Sequence, residues 1–96
     1  MCEVNGTLLE PIKVGDVVKS KTGRDNGKYY VVYDVGIDGK VLLLVDGRIR
    51  SSKKPKRKNA IHVQPTHKHS QIFAQKKDAG EVITEELIRE ILQGLG

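Results

Sequence analysis

The chain has 96 residues, of which 38% are hydrophobic, and that suits one small domain with little room for a second. Eleven Val, eight Ile and eight Leu favour a compact, β-rich core and leave no volume for a deep substrate cavity. The net charge of +5 is segregated: residues 1–47 sum to −1, residues 48–77 carry ten Lys/Arg and no acid, and residues 78–96 sum to −4. A basic block between near-neutral and acidic blocks suits a polyanion. It lacks the apolar face an interfacial membrane helix needs, and no apolar run approaches the ~18 residues of a membrane span. The single cysteine, Cys2, excludes an internal disulfide and fits a reducing compartment. With no signal-peptide pattern at the start, the expectation is a cytoplasmic protein.

Along the chain, residues 1–11 read as an N-terminal arm ending at Pro11. Residues 12–66 read as a barrel of short strands punctuated by glycine. The first segment, 12–21 (I-K-V-G-D-V-V-K-S-K), is extended with a break at Gly15-Asp16. The turn cluster 22–27 (T-G-R-D-N-G) follows, with Gly23 and Gly27 placed for positive φ. Residues 28–36 (K-Y-Y-V-V-Y-D-V-G) form the clearest strand. An Asp38-Gly39 turn leads to the apolar run 41–45 (V-L-L-L-V), and Asp46-Gly47 makes a second turn.

After Arg50 the pattern changes. Residues 51–59 (S-S-K-K-P-K-R-K-N) read as a charged loop, and 60–65 as a short closing strand ended by Pro65. Residues 67–82 show no periodicity and read as a linker. Residues 83–96 read as a C-terminal helix: Thr84 is its N-cap, and Glu85 and Glu86 suit the positive end of its dipole. Gly94 is its stop, and Ile83, Leu87, Ile88, Ile91, Leu92 and Leu95 form one apolar stripe.

The main functional signal is basic. Arg48, Arg50, Lys53, Lys54, Lys56, Arg57 and Lys58 put seven cations within eleven residues; they repel one another, so they need an external anion or a tolerant, solvated loop. Phosphate is the expected anion. The stretch K-P-K-R-K (54–58) also matches a nuclear import pattern, but such strings recur by chance in RNA-binding proteins. Arg24 and Lys28, on a glycine-bounded turn without the Gly-Lys-Ser/Thr ending of a Walker loop, can approach a second phosphate.

Alternation puts Tyr29 and Tyr33 on one face of their strand and Tyr30 on the other, so at least one is expected in the core and an outward one could stack on unpaired bases. His62, His67 and His69 lack the partners a zinc site needs, and no metal or other cofactor is expected. Asp16, Asp25, Asp34, Asp38 and Asp46 lie in or beside turns, where Asp serves local hydrogen bonds. No nucleophile–base grouping emerges, so neither an enzyme nor a small-molecule substrate is expected.

The string V-G-D-V-V (14–18), then G-R-D-N-G-K (23–28) and Y-V-V (30–32), resembles a KOW motif. That pattern is a strand, a basic turn with a fixed glycine (here Gly27) and a second strand. Downstream, V-D-G (45–47), the basic run and N-A-I-H-V-Q-P-T (59–66) are similar to the "fourteen-e" large-subunit ribosomal protein family. Its members read an Asp-Gly turn, basic residues, then Asn-x-x-His-Leu-Glu-Pro. Val63 and Gln64 stand where that family has Leu and Glu.

The resemblance covers about residues 12–66. It implies a mainly β, small SH3-like (KOW) barrel that contacts ribosomal RNA, with ribosomal proteins as further partners; the short chain and its acidic, C-terminal amphipathic helix depart from the family. It carries over Arg24, Gly27 and Lys28 from the turn, and Arg48, Arg50, Lys53, Lys54, Lys56, Arg57, Lys58, Asn59 and His62 from the downstream segment. A stoichiometric ribosomal component and a regulatory relative both fit. The rival reading is an SH3-like protein-interaction module of the transcription or translation machinery.

Overall fold

The computed structural model describes residues 12–93. The expected arm at 1–11 with Cys2, the Gly94 stop and Leu95 lie outside the described residues. The strands are β1 (Asp16–Ser20), β2 (Tyr29–Val35), β3 (Val41–Val45), β4 (Lys56–Asn59) and β5 (Val63–His69). They form one antiparallel sheet in the order β4-β3-β2-β1-β5. The first four make a meander. A 3₁₀ turn, Ala60–His62, then carries the chain from one edge to β5 beside β1. This is the small, mainly β, SH3-like architecture expected for the barrel.

Period-2 alternation gives the sheet two apolar faces. Val18, Tyr30, Val32, Leu42, Leu44 and Val63 fill the inner face. Val17, Val31 and Val45 point the other way, under two helices. These are α1 (Gln71–Asp78), capped by Ser70, and α2 (Glu85–Leu92), capped by Thr84, whose hydroxyl accepts from the Leu87 N–H at 3.2 Å. Phe73 of α1 and Ile83 and Ile88 of the α2 segment are buried there, with Leu87, Ile91 and Leu92 packed at the margin. The expected apolar stripe therefore covers the sheet.

Three expectations are corrected. The span 67–82 is not a linker, because β5 runs to His69 and α1 follows at once. Phe73 is the only buried residue of α1, so no stripe marks it. Pro65 does not end β5: it pairs with Val18 on an edge strand, where a missing N–H is tolerated. Beyond it Thr66, His67 and Lys68 bulge opposite Val17, whose carbonyl accepts from the Thr66 hydroxyl at 2.8 Å. Finally, residues 56–59 are a strand rather than loop, paired to β3 from Val41↔Asn59 to Leu44↔Lys56.

Helix α2 also clamps the loop after β3. Arg89 Nη1 donates to the Gly47 carbonyl at 2.7 Å, and the Ser52 N–H donates to Glu85 Oε1 at 2.9 Å. Gly47 has φ +76°, and a Cβ there would sit 2.7 Å from the Glu85 carbonyl oxygen and 3.1 Å from the Arg89 nitrogen. Gly47→Ala combines a left-handed conformation with a backbone overlap and should cost roughly 1–3 kcal/mol. A thermal melt indistinguishable from wild type would show that α2 does not rest on this loop.

Candidate nucleic-acid interface

The turn after β1 closes through its own backbone: the Gly27 N–H donates to the Ser20 carbonyl at 2.8 Å, and the Ser20 N–H to the Lys28 carbonyl at 2.9 Å. Gly27 takes φ +90°, with open space where a Cβ would stand, so its role is conformational.

Inside the turn, Asp25 is the centre of a polar cluster that also seals one end of the inner core. Its Oδ1 accepts from the Ser20 hydroxyl and from Lys58 Nζ, both at 2.9 Å, and its Oδ2 from the Tyr30 hydroxyl at 2.9 Å. Lys56 Nζ lies 3.3 Å from the same Oδ2. Burial opposes the charge. The hydrogen bonds from Lys58, Tyr30, Ser20 and Lys56 outweigh it and hold the carboxyl well below the ordinary carboxylate range. Burial, with Asp25 beside it, pushes the Tyr30 phenol above its ordinary value.

A second carboxylate, Asp46, ties the turn to the loop after β3. Its Oδ1 accepts from the Arg48 and Arg50 N–H groups, each at 2.9 Å. Its Oδ2, buried and without an aligned donor, lies 2.6 Å from Lys28 Nζ. Burial again opposes the charge, and Lys28 with the two backbone donors lowers the pKa. The turn 22–28, the loop 46–50 and strand β4 are thus joined by two carboxylates into one neighbourhood.

The expected cations divide within it. Lys28, Lys56 and Lys58 are committed to Asp46 and Asp25. Arg24, Arg48, Lys53, Lys54 and Arg57 are exposed, Arg50 is half-buried, and none has an ion-pair partner within 4.0 Å among the described residues. Strand alternation also splits the Lys56-Arg57-Lys58 run, a separation a loop would not impose. The two lysines pair with Leu44 and Leu42 on the inner face, and Arg57 pairs with Leu43 on the other. Asn59 Oδ1 accepts from the Ile61 N–H at 3.1 Å and so caps the 3₁₀ turn. His62 is half-buried in that turn, and its carbonyl accepts from the Lys21 N–H at 2.9 Å.

None of the three tyrosines offers a free ring. Tyr30 is buried in the inner core. Tyr33 meets Phe73 edge-on at 6.3 Å and lies 4.0 Å from Lys77 Nζ, and Tyr29 lies 5.7 Å from Lys19 Nζ. His69 Nδ1 sits 2.6 Å from Asp16 Oδ1, which holds the far end of β5 against β1.

The reach of Asp25 is not legible in the sequence. A turn aspartate bonds its own backbone by default, and only pairing across the sheet brings Lys58 to it from 33 residues away. No helix among the described residues is long and apolar enough to cross a membrane. No family model matches the chain.

Proposed function

We propose that the protein binds structured RNA through backbone phosphates, as a ribosomal or ribosome-associated protein of the cytoplasm, and is not an enzyme. One observation carries this reading: Arg24, Arg48, Lys53 and Lys54 are exposed and unpaired among the described residues, on segments that Asp25 and Asp46 draw together. Like charges held close without internal partners favour an external polyanion. The resemblance to KOW and "fourteen-e" ribosomal sequences supports the same class of ligand, with ribosomal RNA and neighbouring ribosomal proteins as the partners it suggests.

Changing Arg48, Lys53 and Lys54 together to Gln should weaken binding to every structured RNA and flatten the slope of log K against log salt by about 2 to 3. Lys56 and Lys58 stay out of this variant, because they support Asp25. Fluorescence anisotropy across a salt series reads both quantities. The rival reading, a protein-docking module, draws on Ile49, which is 76% exposed between Arg48 and Arg50. Binding to a partner that ignores both salt and the triple variant would favour it.

A further inference from the structure

The outer face of the sheet is only partly covered by the helices. On its uncovered part an open cleft of about 610 Å³ is lined by Asp34, Val35, Ile37, Val41, Leu43 and Arg57, among others. Asp34 pairs with Leu43 and Leu43 with Arg57, so these three form one row across β2, β3 and β4. Adjacent strands lie about 4.8 Å apart, which puts the carboxylate and guanidinium bearers two spacings apart with the leucine between them. Among the described residues Arg57 has no ion-pair partner within 4.0 Å, although two carboxylates, Asp34 and Asp38, line the same cleft. Asp34 Oδ1 accepts from the Val35 N–H at 2.9 Å, and its other oxygen has no hydrogen-bond partner among the described residues. Ile37, fully exposed, stands at the rim.

An apolar floor with a planar cation on one side and a carboxylate acceptor on the other suits a flat heterocycle with acceptors on one edge and donors on the other. Guanine has that pattern: O6 and N7 accept from arginine, and N1–H and the 2-amino group donate to a carboxylate. Adenine offers an amino donor where O6 would be, and uracil lacks N7 and the amino group. The cleft shares strand β4 with the cationic neighbourhood, so a strand held by its phosphates can deliver a base there. Resting on the RNA-binding reading above, we propose that this cleft holds a single unpaired guanine of the bound RNA.

The test uses the full chain and a set of RNA hairpins that differ only in one bulged nucleotide (G, A, C, U or none). Bulged G should bind roughly tenfold tighter than bulged U or the fully paired stem. Asp34→Ala, at an exposed position outside the cationic set, should abolish that preference while binding to the paired stem changes little, and Arg57→Gln should abolish it beyond the uniform loss that removing one cation brings to every hairpin. Guanosine monophosphate is the control for a free nucleotide and should compete far more weakly than bulged G. Stronger competition would move the site from RNA to a free nucleotide and overturn the proposal. Equal affinity for all hairpins, or a G preference surviving both variants, would overturn the cleft and leave RNA binding standing. No salt-sensitive binding to any hairpin would overturn both.

Discussion

Phe73→Ala should remove about 3–5 kcal/mol of stability, the usual cost of truncating a buried phenylalanine. The side chain is fully buried between the sheet and α2, in one cluster with Val17, Val31, Val45, Ile83 and Ile88. Its ring also meets Tyr33 edge-on, at an interplanar angle of 78°. A domain this small has a total stability near the low end of about 5–15 kcal/mol, so the variant should be largely unfolded at physiological temperature. Equilibrium urea unfolding measures the loss, and Phe73→Leu, which keeps most of the volume, should recover much of it. A loss under about 1 kcal/mol for the alanine variant would show that the outer core stands without α1.

That Phe73 matters so much while its helix was illegible has a physical cause. Periodicity reveals an element when several residues share one buried face, as in β2 and in the stripe of α2, both of which are readable. Helix α1 buries one residue and exposes Ile72, so its pattern resembles that of a loop. Its N-cap, Ser70, is a signal that was there to find: its hydroxyl accepts from the Phe73 N–H at 3.2 Å.

Strand β4 was hidden for the opposite reason. Lys56, Arg57 and Lys58 lack apolar alternation, because the two lysines face inward as the partners of a carboxylate that precedes Lys58 by 33 residues. A strand stabilised by long-range ion pairs has no local hydrophobic signature. The same cause misplaced part of the site. Charge counting identifies cations, but only the fold reveals which of them are already neutralised.

The sharpest test of that division is Asp25→Asn. The substitution keeps the shape of the side chain and removes the charge that faces Lys56 and Lys58, whose side chains are 27% and 10% exposed. Removing one partner of a buried pair costs about 3–5 kcal/mol because the other charge stays desolvated. Lys56 can swing toward water, so roughly 3 kcal/mol is expected here.

The pH dependence carries an independent signature. With its folded pKa depressed, Asp25 contributes stability that is complete above the unfolded carboxylate value, near about 4, and is lost as pH falls toward the folded value. Wild-type stability should therefore decline in acid below about pH 4, and the Asn variant should decline less steeply. Asp46, also depressed, preserves part of the slope in both proteins. Asp25→Asn combined with Lys58→Met should lose less stability than Asp25→Asn alone, since the amide oxygen can still accept from Tyr30 or Ser20 and no buried charge at Lys58 is then left without a partner. If Asp25→Asn instead tracks wild type at neutral and acid pH alike, the lysines are not held by the carboxylate. Lys56 and Lys58 would then be free to join Arg24, Arg48, Lys53 and Lys54 in contacting phosphate, and the interface would be larger by two cations.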